Sequence, residues 1–130
     1  MNANIIVLAP LIFMAACASP SRVDPAKLTY AQSIQPVCRS EKECELMWSA
    51  AKQWVEENSH YRIKLLTNDH LETYSPIDGS AWLGMSISKV PNKDGSYRLR
   101  SKMWCDNMFG CVPDPTDALI SLNKTVNAAK

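Results

Sequence analysis

Ala81–Trp104 reads AWLGMSISKVPNKDGSYRLRSKMW, and its alternation decides the fold. Ala81, Leu83, Met85 and Ile87 alternate with Trp82, Gly84, Ser86 and Ser88. After the turn residues Pro91-Asn92-Lys93-Asp94-Gly95, Tyr97, Leu99, Ser101 and Met103 alternate with Arg98, Arg100, Lys102 and Trp104. Period two in both arms, with turn-forming residues between them, predicts an antiparallel hairpin with one buried face. Pairing Val90 with Ser96 across the turn sets Trp82 directly opposite Trp104, an aromatic cross-strand pair of the kind that stabilises sheets.

Upstream, Tyr61-Arg62-Ile63-Lys64-Leu65 alternates in the same way. Asn68-Asp69-His70 reads as a three-residue loop, which pairs Leu65 with Thr73 and Lys64 with Tyr74. A two-residue loop would instead put Glu72 beside Leu65 on the apolar face, and is disfavoured on that ground. Ser75-Pro76-Ile77-Asp78-Gly79 is a longer turn leading into the central hairpin. The result is a four-stranded antiparallel meander.

A helix is predicted on each side of it. Ser40-Glu41-Lys42-Glu43 is a capping box, with Ser40 at N-cap and Glu43 at N3. Cys44, Met47, Trp48, Ala51 and Val55 then recur at helical spacing over about 41–58, with Trp48 in the core and Trp54 at the border of that face. Asp114-Pro115 sets an N-cap with proline at N1. Ala118, Leu119, Leu122 and Val126 form the stripe of a second helix over about 115–127. The fold class is α+β: N-terminal helix, four-stranded antiparallel meander, C-terminal helix, both helices on one sheet face. At 130 residues the chain holds one core.

Five cysteines are present. Cys38/Cys44 and Cys105/Cys111 share the spacing C-x5-C, and three connectivities are open to the four. The local bridges Cys38–Cys44 and Cys105–Cys111 are expected, since each closes a short loop at the edge of a predicted helix. A four-cysteine zinc site is the alternative, but zinc favours closer C-x2-4-C knuckles, so no metal or cofactor is expected.

Cys17 stands apart from these pairs. It directly follows Ile5–Ala16 (IIVLAPLIFMAA), an apolar run of twelve that is shorter than the ~20 residues needed to span a bilayer. Pro10 in its middle argues against a buried core helix. The run ends in the small residues Ala15, Ala16, Cys17 and Ala18, which match the end of a secretory signal. No Lys or Arg precedes the run.

Met14-Ala15-Ala16-Cys17 resembles the lipobox of bacterial lipoproteins, with Met where the family usually has Leu. The resemblance implies cleavage before Cys17 and a diacylglycerol on its sulfur, each buried CH₂ adding roughly 0.8 kcal/mol of anchoring. Ala18, in place of the Asp that retains lipoproteins in the inner membrane, implies an outer-membrane anchor facing the periplasm. The competing expectation is cleavage after Ala16-Cys17-Ala18, releasing a soluble periplasmic or secreted protein. On the lipoprotein reading, residues 1–16 are a signal peptide, 17–35 the lipidated cysteine and a flexible tether, and 36–130 a small disulfide-bonded domain.

Catalytic motifs are thin. His60 and His70 read as surface residues at opposite ends of one strand–loop unit, and no nucleophile elbow, phosphate loop or zinc-protease motif occurs. The chain is expected not to be an enzyme. The constellation worth weighing is the face away from the helices, which would carry Arg62, Lys64, Arg98, Arg100 and Lys102 with Tyr74, Trp82 and Trp104 among them. Basic and aromatic side chains interleaved on an open sheet grip anionic or planar ligands. The plainer reading is a solvated face whose tryptophans are covered by the tether. The net charge of +1 argues against nucleic acid. Two functions follow: a non-catalytic envelope lipoprotein with a binding or scaffold domain, meeting an envelope protein or anionic envelope polymer; or an exported inhibitor or small hydrolase.

Overall fold

The computed structural model describes residues 23–130. The expected signal peptide, the lipobox-like segment, Cys17 and the alternative cleavage site expected at Ala18 lie outside the described residues.

The elements follow in the order α1 (Pro25–Ser33), β1 (Val37–Cys38), α2 (Glu41–Asn58), β2 (Ile63–Leu66), β3 (His70–Thr73), β4 (Gly84–Pro91), β5 (Tyr97–Trp104) and α3 (Pro115–Asn127). The fold is α+β, but the sheet has five antiparallel strands rather than four, in the order β1-β5-β4-β3-β2. The extra strand is two residues long, Val37 opposite Arg98 and Cys38 opposite Tyr97, too short to show a period of its own.

Both expected helices form on their expected caps. Ser40 Oγ accepts from the Glu43 amide at 3.2 Å, and the Glu43 carboxylate accepts in return from the Arg39 amide at 3.1 Å. Asp114 accepts from the amides of Thr116 and Asp117. The stripe of α2 is rotated from expectation. Trp54 is buried, its indole N–H donating to Ser121 Oγ at 3.2 Å, while Trp48 is only half-buried. Met47, Ala51 and Val55 of α2 and Ala118, Leu122 and Val126 of α3 share one core with Leu71, Met85, Ile87 and Leu99 of the sheet. Both helices therefore cover the same face.

The segment expected as tether up to Gln35 is helical from Pro25. Asp24 caps it by accepting from the Ala26 amide at 2.9 Å, the same Asp-Pro start that opens α3. The helix is barely amphipathic, with Ala31 alone buried, so spacing gave no signal. It docks along α3 rather than over the outer tryptophans: Lys27 pairs with Asp117 at 2.8 Å, and Asn123 and Asn127 donate to the carbonyls of Ala31 and Ile34.

Two registers differ from expectation. In the β4–β5 hairpin Val90 faces Arg98 and Gly84 faces Trp104. The Asn92 amide donates to the Ser96 carbonyl at 2.8 Å, leaving the three-residue loop Lys93-Asp94-Gly95 with Gly95 at φ 83°. A left-handed glycine in a three-residue loop is a favoured hairpin closure. The shift is even, so every side chain keeps its face while the Trp82–Trp104 pairing is lost.

In the β2–β3 hairpin the loop has two residues, Asn68-Asp69, closed by the Thr67 amide on the His70 carbonyl at 2.8 Å. Leu65 faces Glu72, the pairing expected not to occur. A one-residue slip reverses the faces, and an extra residue at Lys64 adds a second one-residue shift that restores the parity, so Ile63 faces Thr73. Leu65 is turned to the outer face beside Glu72, and Leu66, on the edge strand opposite Leu71, is equally exposed at 44%.

The cysteines form two local bridges, Cys38–Cys44 with Cα atoms 5.0 Å apart and Cys105–Cys111 at 5.6 Å. The first pins β1 to the start of α2. The second closes the loop between β5 and α3.

Candidate binding face and groove

The outward face of β5 carries Arg98, Arg100, Lys102 and Trp104, about 7 Å apart along the strand. Arg98 is half-buried and donates to Asn92 Oδ1 at 2.7 Å. Arg100 and Lys102 are exposed, and among the described residues no carboxylate lies within 4.0 Å of either. The Lys102 ammonium lies 5.5 Å from the Trp104 ring centroid. Trp104 packs over Gly84, where a Cβ would meet its ring at 3.1 Å.

The neighbouring strands add a polar row. His70 lies opposite Ser88 and Glu72 opposite Ser86. Ser88 Oγ is 2.8 Å from His70 Nδ1, His70 Nε2 is 3.4 Å from Glu72, and Lys64 donates to the other Glu72 oxygen at 3.3 Å. His70 and Lys64 hold the Glu72 carboxyl below the ordinary glutamate range, the imidazole hydrogen bond contributing most. Serine, histidine and glutamate in one row resemble a nucleophilic triad in composition. A serine nucleophile also needs donors for the developing oxyanion. Ser88 sits in a central strand whose amides are committed to the ladders on either side, so no backbone donor is free beside it. The row is better suited to holding Lys64 and Glu72 in place than to acyl transfer.

The remaining expected site residues scatter. Arg62 and Tyr74 are exposed at the β2 edge, joined by the Tyr74 amide on the Arg62 carbonyl. Lys64 is neutralised by Glu72. Trp82 is not on this face. It precedes β4, bridges to Val112, and stacks on the His60 ring with centroids 4.9 Å apart and planes at 9°.

A second feature escaped the sequence reading. Lys89 lies on the helix-side parity of β4, opposite Leu99. Its ammonium is 5.7 Å from the Trp48 ring and 5.8 Å from the Tyr97 ring. It forms part of a groove of about 970 Å³, whose rim carries Arg39, Glu45 and Asp69. A cation between two aromatic faces is stabilised by both ring quadrupoles. The only signal was parity, since Lys89 continues the Leu83-Met85-Ile87 series. Among the described residues no group of three His, Cys, Asp or Glu side chains is placed to hold a metal ion.

The chain matches no protein-family model, no curated protein and no solved structure.

Proposed function

We propose that the protein is a non-catalytic domain of the bacterial envelope, anchored through a lipid on Cys17, that binds an anionic envelope partner on the face built by Arg100, Lys102 and Trp104. The observation that carries the binding role is the placement of Arg100 and Lys102 side by side, exposed and without a carboxylate partner among the described residues. A guanidinium and an ammonium at this spacing, beside an indole face, suit a carboxylate- or phosphate-bearing polymer or the acidic face of another protein. The anchor rests on the apolar run ending at the lipobox-like Met14–Cys17, and the two bridges are in keeping with an oxidising compartment.

The test pairs Arg100→Glu/Lys102→Glu with wild type in cosedimentation with isolated cell-wall sacculi and in cross-linking within intact envelopes. Binding that falls with the charge reversal and with salt supports the reading. Unchanged sedimentation and an unchanged set of cross-linked proteins, at an unchanged melting temperature, would reject it. Fatty-acid labelling of wild type and Cys17→Ser tests the anchor, and an unlabelled wild type refutes it.

One observation favours a second reading, an inhibitor released by cleavage after Ala18. The loop closed by Cys105–Cys111 presents Met108 and Phe109 to solvent as a bait loop would.

A further inference from the structure

The most exposed large apolar side chains among the described residues are Met108 (84%), Phe109 (79%) and Ile77 (66%), and all three lie at one end of the molecule. Strand β5 runs up to that end and enters the loop closed by Cys105–Cys111. The turn containing Ile77 is fastened to the loop by three hydrogen bonds: the Gly79 amide to Asp106 (3.2 Å), the Asn107 amide group to the Gly79 carbonyl (2.6 Å), and the Asp106 amide to the Ser80 carbonyl (3.0 Å). Val112 and Trp82, 57% and 47% exposed, are joined in a bridge at the same end. An apolar end this concentrated marks an interaction surface.

The described chain begins on that side. Helix α3 begins at Pro115, four residues beyond Cys111. The Lys27–Asp117, Ala31–Asn123 and Ile34–Asn127 contacts advance together along both helices, so α1 runs parallel to α3 and its start lies beside the start of α3. Asp24 follows Cys17 by seven positions. Fully extended, that stretch spans at most about 25 Å.

We propose that this end is a second membrane contact: Met108 and Phe109 seat in the interfacial layer of the bilayer that holds the Cys17 lipid, with Trp82 at headgroup depth. The inference rests on the lipid-anchor reading, which keeps the apolar end within reach of the bilayer. The bridge and the hydrogen bonds to Gly79 and Ser80 hold the loop in one shape, so little order has to be gained on insertion. Asp78 and Asp106 are exposed at the base of the loop, so the attraction is apolar and needs no anionic lipid. Seated this way, the strands stand away from the membrane, and the groove around Lys89 faces the far side.

The test uses the full-length protein purified from envelopes and reconstituted into phosphatidylcholine vesicles that contain a photoactivatable phospholipid. Peptides are mapped by mass spectrometry. The peptide spanning 105–111 is expected to carry about tenfold or more label than the peptide spanning 89–98, at low and high salt alike. Met108→Asp/Phe109→Asp is expected to lose that label, because two apolar side chains no longer favour hydrocarbon over water, while its melting temperature stays unchanged. Equal labelling of the two peptides in fatty-acylated protein overturns the membrane contact and leaves the anchor standing. Labelled 105–111 in protein that carries no fatty acid overturns the anchor and leaves the contact standing. A stoichiometric complex with a serine protease, lost in the double variant, together with unlabelled 105–111, would assign the loop to protease inhibition instead.

Discussion

The Asn123 side-chain amide donates to the Ala31 carbonyl at 3.0 Å, a buried hydrogen bond across 92 residues of sequence that fastens α1 to α3. Asn123 lies on the face of α3 that meets α1, next to the Ala118-Leu122-Val126 stripe, and is 3% exposed. Asn127 repeats the contact one turn later, at 2.8 Å, on the Ile34 carbonyl.

Asn123→Ala is expected to lower stability by about 1–2 kcal/mol, since the Ala31 carbonyl is left buried without its partner. Chemical denaturation gives the magnitude. Amide hydrogen exchange in Pro25–Ser33 should accelerate more than exchange in the sheet, and uniform acceleration would show that α1 is not held chiefly by this contact.

Gly84→Ala is expected to cost about 1–3 kcal/mol through overpacking. The added Cβ would lie 2.5 Å from Pro76 Cδ and 3.1 Å from the Trp104 ring. Pro76→Ala in the same chain should recover part of the loss, a coupling that a double-mutant cycle measures. Simple additivity of the two substitutions would contradict the contact.

The two bridges should differ in weight. Each closes a loop with a sequence separation of 6, for which loop-closure entropy predicts roughly 2 kcal/mol. Cys38 and Cys44 are also buried, 0% and 7% exposed, whereas Cys105 and Cys111 are half-buried. Cys38→Ala/Cys44→Ala should therefore destabilise more than Cys105→Ala/Cys111→Ala in parallel urea melts. The reverse order would mean that the β5–α3 loop matters more to folding than the β1–α2 junction.

Glu72 makes stability respond to acid. Its folded-state pKa is depressed by His70 and Lys64, so its contribution is present above the unfolded-state pKa, about 4.3 for a free glutamate. That contribution is lost as pH falls from there through the folded-state value. The stability difference between wild type and Glu72→Gln should shrink as pH falls below about 4.3. A difference that grows in that range would contradict the assignment.

Much of the architecture was legible because it depends on local rules. The capping box at Ser40–Glu43 and the Asp114-Pro115 start marked two helices, since the backbone donors they satisfy lie within the same turn. Asp24-Pro25 carries the same cap, but without an apolar stripe behind it the helix could not be told from a tether. Helix α1 is held by polar contacts to α3, and those contacts lie about 90 residues away in the chain. The candidate face divides in the same way. Alternation put Arg98, Arg100, Lys102 and Trp104 on one side, and the even register shift left them there. The Ser88–His70–Glu72 row depends on which residue of β3 faces Ser88, and alternation carries no information about that.

The sequence by itself determined which residues of β4 and β5 face the core side, where α2 and α3 begin, and that Cys17 lies outside both C-x5-C pairs. These follow from periodicity, caps and spacing, which act over a few residues. Only the tertiary structure decided that β1 adds an edge to the sheet, that Trp82 stacks on His60 instead of pairing with Trp104, that the Lys89 ammonium lies over both Trp48 and Tyr97, and that α1 starts beside the start of α3. Each of these is set by how distant segments pack and by which turn closes each hairpin. A chain whose side chains alternate with period two keeps its faces under any even shift, so only the packed fold selects the register.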